Sequence, residues 1–241
     1  TNDASATGIG TIDSTGSVNN DSGFSIVSYT GTGSNGTIKH GLNTAPKTVW
    51  VKCRNVAFNW TTGWNTGSSN FETMLKLNST AAEEDYAPYF NDTNPTSSVF
   101  SVGNASNTNV VNNTYFAYCF AEKQGYSKIG SYTGNGNADG TFVYTGFKPA
   151  FVMYKNASDN YTNWQIHDSK RSPYNLSVNR LNPNDNSVEL GTTADSFDFL
   201  SNGFKARATA SNSNTSGSTY IYMAFAENPF VTSTGVPACA R

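Results

Sequence analysis

The sequence predicts an all-β fold made of two tandem antiparallel β-sandwich units, jelly-roll-like and related by internal duplication. Three observations predict it. Apolar residues alternate with polar ones at period two, or gather in short β-branched and aromatic runs, as strands require. Gly, Asn and Pro clusters close each run and supply the turns between antiparallel neighbours. The chain also repeats itself: "SYTGTGSNGT" at 28–37 returns as "SYTGNGNADGT" at 131–141. Four landmarks recur in the same order, the Ser-Tyr-Thr-Gly turn, a proline, a tryptophan and Phe-Ala-Glu, at offsets of 103, 103, 104 and 105 residues.

Taken in order, residues 1–22 hold almost no large apolar side chain and read as a linker or extended arm. Residues 23–124 form the first unit and 125–231 the second, with 232–241 left as a C-terminal tail. After the repeated proline come "KTVWVKCRN" and "AFVMYKNAS", in which Val49 matches Val152 and Lys52 matches Lys155. In the second unit strands are expected near 127–133, 141–145, 150–156, 163–168, 175–181, 187–191, 197–200, 203–208 and 219–226. The closing strands read "TYFAYCFAE" at 114–122 and "TYIYMAFAE" at 219–227. Helical periodicity is nearly absent; only "STAAEEDYAPYF" at 79–90 could make a helical turn or two, with a solvated loop or helix start read at its acidic run. The glycines of the repeated turn are read as positions where positive φ is needed.

A chain of 241 residues can bury a core of ordinary size. Charged residues make up only 13% and the net charge is -2, so there is no basic field for phosphates or anionic lipid. Neither nucleic acid nor membrane insertion is expected, since no apolar run approaches the roughly 20 residues of a span. The neutral, hydroxyl- and amide-rich exterior fits an extracellular or virion β protein. No basic-then-apolar leader opens the chain, and it reads as a processed product or a piece of something longer. Three cysteines argue against a disulfide framework, because Cys53 and Cys119 align with Asn156 and Ala224 in the other copy. Both are expected as buried small hydrophobes. Cys239 lies near the end and is left unassigned.

The stretches "GFSIVSYTGTGSNGTIKHGLNTAPKTVWVKCRN", "YFAYCFAEKQGYSKIGSYTGNGNADGTFVYTGFKPAFVMYKN" and "SFDFLSNGFKARA" with "TYIYMAFAENPF" carry a resemblance. Over residues 23–241 the chain resembles an uncharacterised tandem-repeat domain at the carboxyl ends of fibre-like virion proteins of marine tailed bacteriophages. Members often carry a concanavalin-like, laminin-G-type module upstream. The resemblance transfers no catalytic or binding residue. It implies a place on a virion appendage, outside the cell, and contact with the host surface.

The candidate chemistry is sparse. His167, Asp168 and Ser169 are adjacent, but neighbours on a strand point to opposite faces, so they do not form a triad. His40 has no counterpart in the other copy and is expected as a strand-end surface or packing residue. Glu83, Glu84 and Asp85 form an acidic run, read as solvated because neighbouring carboxylates rarely flank a sugar. "NGNADG" at 135–140 and "NPNDNS" at 182–187 are read as Asx-rich turns, with weak calcium a minor alternative. No metal, cofactor or catalytic residue is expected.

Aromatic rings near polar loops are the better candidates, since a flat ring can lie under the apolar face of a pyranose. Trp60, Trp64, Tyr161 and Trp164 are the candidate ligand-binding residues. Trp60 and Trp164 are weighed toward a core role, Trp64 and Tyr161 toward exposure. The expected function is a non-enzymatic virion tail-fibre or tail-associated module, trimeric, contacting a host surface glycan or envelope protein and other virion subunits. A capsid decoration or baseplate component without ligand is the alternative. A polysaccharide depolymerase is a third reading, less favoured.

Overall fold

The computed structural model describes residues 1–67 and 70–229; the tail at 232–241 and Cys239 lie outside them. The chain is all-β with several antiparallel sheets and divides into two compact units. Unit 1 comprises 1–77 and 83–122; unit 2 takes 78–82 and, among the described residues, 123–229.

Unit 1 opens with a short helix α1 (Ala4–Thr7) capped by the Asp3 side chain, whose carboxylate accepts from the Ala6 amide at 3.0 Å. Its strands are β1 (Ser14–Asn19), β2 (Phe24–Thr30), β3 (Gly36–Lys39), β4 (Thr48–Cys53), β5 (Thr61–Asn65), β6 (Asn70–Lys76), β7 (Glu84–Asp85), β8 (Val99–Val102) and β9 (Thr114–Phe120). A second helix, α2 (Ser106–Asn109), precedes β9. The main sheet runs β1-β2-β9-β4-β5-β6-β7, and β3 pairs with β8 in a two-stranded sheet. Alternation decides the core: Val27 and Tyr29 from β2, Val49, Val51 and Cys53 from β4, and Tyr115, Ala117 and Cys119 from β9 meet Ile38 and Phe100 from the small sheet.

Unit 2 contains β10 (Ser127–Thr133), β11 (Phe142–Tyr144), β12 (Pro149–Asn156), β13 (Gln165–Asp168), β14 (Asn179–Leu181), β15 (Leu190–Gly191), β16 (Phe197–Leu200), β17 (Gly203–Ala206) and β18 (Thr219–Ala226). Here the main sheet runs β10-β18-β12-β13-β14-β15, and the second sheet β11-β17-β16. Its core gathers Tyr132, Val152, Tyr154, Phe197, Phe204, Tyr220 and Tyr222.

The repeated turn is held in each unit by a stacked tyrosine pair. In unit 1 the Tyr29 and Tyr115 rings lie 5.2 Å apart at 14°. Tyr29 donates its hydroxyl to the Thr108 carbonyl at 2.6 Å, while Tyr115 donates to the Ser106 carbonyl at 2.9 Å and accepts from the Val110 amide at 2.8 Å. In unit 2 the Tyr132 and Tyr220 rings are 4.8 Å apart at 10°. Tyr132 donates to Ser213 O at 2.7 Å, and Tyr220 donates to Ser211 O at 2.9 Å and accepts from the Thr215 amide at 2.8 Å. Each hydroxyl therefore satisfies backbone groups of a loop that would otherwise be buried without partners.

The turn glycines divide their work. Gly33 and Gly136 take φ of +72° and +67°, as the sequence suggests. Gly31 and Gly134 are needed for a different reason: a Cβ there would stand 2.1 Å from the Val110 and Thr215 carbonyl oxygens respectively. The tyrosine-pinned loop presses onto the turn, and an asparagine locks the two together. Asn109 accepts from the Thr32 amide at 2.8 Å and donates to Ser34 O and Gly103 O; Asn214 accepts from the Asn135 amide at 3.0 Å and donates to Asn137 O and Ala208 O.

Two sequence expectations change. Residues 1–22 are not a free arm, because β1 pairs with β2 along its whole length and Ile12 enters the unit 1 core. Their few apolar groups suffice because the sheet offers an edge whose backbone groups need partners. The stretch 79–90 holds no helix. Glu84 and Asp85 pair with Met74 and Thr73 on β6, and Pro88 blocks a helix from continuing. Cys53 and Cys119 are buried free thiols, and burial pushes Cys119 up to about 12.

Gly134→Ala should destabilise unit 2 by about 1–3 kcal/mol, since the obstacle is backbone and no rotamer relieves it. Tyr132→Phe should cost a similar ~1–3 kcal/mol, because the Ser213 carbonyl stays buried without its donor. Urea denaturation followed by tyrosine and tryptophan fluorescence measures both; unchanged midpoints for both variants would refute this account of the turn.

Candidate functional site

The four aromatic residues singled out from sequence divide between the two units. Trp60 and Trp64 belong to unit 1, Tyr161 and Trp164 to unit 2. Trp64 is 1% exposed and donates its indole N–H to Thr62 Oγ1 at 2.8 Å, so the exposure expected for it is corrected: a ring with no accessible face cannot stack on a sugar. Its position beside the half-buried Trp50 ring, 6.3 Å away, was not readable from the strand pattern. Trp164 is fully buried, in keeping with a packing role. Trp60 is half-buried, its ring 5.8 Å from that of Tyr118. Tyr161 is 91% exposed at φ +64°, standing out from the loop after β12.

The histidines are structural. His40 is buried, its Nε2 3.1 Å from the Thr96 carbonyl and its Nδ1 accepting from the Leu42 amide, so both ring nitrogens are engaged. Burial holds it below the usual histidine range. His167 turns inward from β13, its Nδ1 3.1 Å from Ser177 Oγ, while Asp168 turns outward to the Arg171 guanidinium at 2.5 Å. The adjacent pair therefore faces opposite ways, as strand geometry demands.

Several other carboxylates are occupied as well. Glu83 accepts from Thr73 Oγ1 at 2.9 Å and Glu84 pairs with Lys76 at 2.8 Å. In the 135–140 loop Asp139 is bound by Lys205 at 2.5 Å and Arg207 at 3.5 Å, and Asn135 and Asn137 close Asx turns on the Asn137 and Asp139 amides. In the 182–187 loop Asp185 accepts from the Ser187 amide at 2.8 Å. Among the described residues no group of three or more His, Cys, Asp or Glu is placed to hold a metal. Among them no helix is long and apolar enough to cross a membrane.

A groove in unit 1 is a candidate site. It has a volume of about 620 Å³ and is lined by Asn59, Lys76, Glu84, Tyr86, Tyr89 and the run Asn104–Asn107. Two segments build it. Strand β7 delivers Glu84 and then Tyr86, and the following turn, closed by the Tyr89 amide on Tyr86 O at 3.1 Å, sets the two tyrosine rings edge to face with centroids 5.1 Å apart. The opposite segment is stitched to this turn through backbone: Gly103 N donates to Tyr89 O at 3.1 Å and Ala105 N to Pro88 O at 2.9 Å. Gly103 allows this approach, since a Cβ there would lie 2.2 Å from Pro88 O. From there α2 begins, held by the Tyr115 hydroxyl on Ser106 O, and Asn107 is placed at the groove.

Tyr86 is 49% exposed and Tyr89 is 9% exposed, so the groove has an open ring above a mostly covered one. Around them stand the Asn59, Asn104 and Asn107 amides and the Lys76–Glu84 ion pair. A ring face can lie against C–H bonds and amides can pair with hydroxyls. In unit 2 the residue one before Ser213, Asn212, is instead consumed, accepting from the Asn163 amide at 2.9 Å and donating to Asp195 at 3.4 Å. Sequence reasoning passed over Tyr86, Tyr89, Asn104 and Asn107. The available signal was aromatic residues following an acidic run in "EEDYAPYF", together with the amide run "NASNTN".

These features define a two-unit all-β protein with a shallow aromatic-and-amide groove. The chain belongs to a family described as a domain of unknown function, DUF7483, whose model matches residues 1–229. No curated protein and no solved structure matches it.

Burial first, and then the Arg180 and Arg171 charges, lower His167 to about 3, with Asp168 opposing. The unfolded chain takes up this proton near pH 6.5 while the folded one does so only near pH 3. The full stability is present above pH 6.5 and falls as pH drops toward 3, by at most about 1.4 kcal/mol per pH unit. Denaturation midpoints measured from neutral pH to about pH 4 should fall less steeply in His167→Gln than in the parent chain. Equal slopes would show that His167 is not the sensor.

Proposed function

We propose that this protein is a non-enzymatic contact module of an extracellular appendage, binding a surface glycan through the Tyr86 groove of unit 1. The observation that carries the reading is the exposed Tyr86 ring set against Tyr89 and ringed by Asn59, Asn104 and Asn107. The low charge and hydroxyl- and amide-rich surface support a partner recognised by hydrogen bonding and ring stacking. The resemblance to phage fibre-like proteins supports a virion tail as the setting, with the host envelope as the partner surface and a trimer as the assembly. A trimer presents several grooves at once, and linked weak sites gain roughly 10²–10⁴ in avidity without any new contact.

Tandem duplication of one sandwich unit belongs to the same proposal. Three correspondences support it: the matched tyrosine pairs, the two glycines that meet a carbonyl at the same distance, and the asparagines that lock each turn. The strand orders β2-β9-β4-β5-β6 and β10-β18-β12-β13-β14 run in parallel. In this reading one ancestral frame now carries a groove in unit 1 and a filled loop cluster in unit 2.

Glycan-array screening of the full chain, followed by titration calorimetry on any hit, tests the function. Tyr86→Ala should weaken retention at least about tenfold, a loss of roughly 1.4 kcal/mol, without moving the denaturation midpoint. A parent chain retained by no glycan, or a Tyr86→Ala variant that binds as the parent does, defeats the groove reading. New reducing ends on incubation with a host polysaccharide would replace contact by depolymerisation.

A further inference from the structure

Unit 2 differs from unit 1 in what lies behind the middle of its main sheet. In unit 1 Val49 stands opposite Gly63, and the place where a side chain would rise is filled by aromatic rings: a Cβ on Gly63 would lie 2.4 Å from Phe71 Cδ1 and 2.9 Å from Phe90 Cε2. In unit 2 Val152 stands opposite His167. The imidazole packs on Phe197, ring centres 5.3 Å apart, and on Tyr154 at 5.9 Å. Across the sheet His167 is directly paired with Arg180, whose guanidinium meets Asp195 at 3.0 Å. Asp195 Oδ2 also receives Gln165 at 3.2 Å, and Gln165 accepts from the Tyr154 hydroxyl. Behind the main sheet the place is taken by aromatic rings in unit 1 and by polar side chains in unit 2.

Four side-chain atoms here are buried without a protein partner: His167 Nε2, Arg180 Nε and Asp195 Oδ1 of this cluster, and Asn182 Oδ1, which follows β14 two residues after Arg180 and so continues its inward face. Their residues are between 0% and 7% exposed. Leaving each unmatched would cost about 1–3 kcal/mol, more for the charged ones, so together they demand an occupant. The chemistry of the atoms selects it. Arg180 Nε needs an acceptor, Asp195 Oδ1 and Asn182 Oδ1 need donors, and His167 Nε2 can take either role. The charges of Arg180 and Asp195 cancel within the pair, so the occupant is neutral. A metal cation would serve the oxygens and the imidazole but stand beside a guanidinium whose Nε it cannot satisfy. An anion would serve Arg180 and be repelled by Asp195. Only a small neutral molecule that both donates and accepts meets all four.

We propose that unit 2 encloses a structural water site in which ordered water links His167, Arg180, Asn182 and Asp195 and completes the polar core that replaces the aromatic plug of unit 1. Buried waters of this kind make about three hydrogen bonds each and are held by two to four polar groups, which matches the set of orphaned atoms. The site makes the fold of unit 2 depend on solvent trapped during folding.

A crystal structure of the full chain at a resolution that orders internal solvent tests this. Water density is expected within hydrogen-bonding distance of Arg180 Nε or Asp195 Oδ1 and of at least one further atom of the set. Four atoms closed on protein partners, a dry cluster, or an ion recognised by its anomalous signal would overturn the proposal. In solution, long-lived water should give nuclear Overhauser contacts to the Tyr154 and Phe197 ring protons, and their absence in a well-resolved spectrum counts equally against it. His167→Phe, which supplies the ring that unit 1 uses, should lose the contact at that position and keep those nearer Asp195; if this variant does not fold, the measurements on the parent chain decide the matter alone.

Discussion

The structure of each unit rests on one constraint: a pair of stacked, buried tyrosines whose hydroxyls must find backbone partners. Tyr29 reaches a carbonyl 79 residues away, and Tyr132 one 81 residues away, so the first and last parts of each unit are tied through a single side chain. The aromatic bodies fill the core and the polar tips organise a loop, two demands met by one residue type. Because the loop is drawn down onto the Ser-Tyr-Thr-Gly turn, that turn tolerates no Cβ at Gly31 or Gly134. The motif is therefore a contact surface as much as a chain reversal.

The same constraint positions the candidate site. Tyr115 holds Ser106 at the start of α2, and the backbone bridge from Gly103 to Tyr89 fixes the opposite wall. The groove is thus preorganised by sheet and by backbone hydrogen bonds. The two units differ in how they use their polar and aromatic residues. Unit 1 keeps Asn107 at an open groove and seals its sheet with Phe71 and Phe90. Unit 2 consumes Asn212 internally and places an Arg180–Asp195 pair and His167 in its interior. A buried pair of this kind contributes little net stability, since desolvation opposes the attraction, and breaking it is far more costly than never having it.

Much of the fold was legible. In unit 2 expected strands at 150–156, 197–200 and 219–226 correspond to 149–156, 197–200 and 219–226, because alternation and flanking turns are local signals. The inward face of β9, with Tyr115, Ala117 and Cys119, follows from the same alternation. The amino-terminal strand was missed because Ser14–Asn19 carries little apolar character and is ordered by the edge it pairs with. Tryptophan exposure was misjudged at Trp64 because burial on the second face of a sheet depends on what lies over it. The groove was missed because its two halves, 84–89 and 104–107, touch only after folding.

From the sequence alone came the strand class, the turn chemistry and the repeated order of landmarks, all of which are set by dihedral preference and by short-range periodicity. Tertiary structure alone decided which rings are buried, which carboxylates are already paired, and that Tyr86 faces an amide-lined groove while His167 faces a buried ion pair. Those outcomes depend on distances between residues far apart in the chain, and such distances exist only once the sheets have closed on their cores.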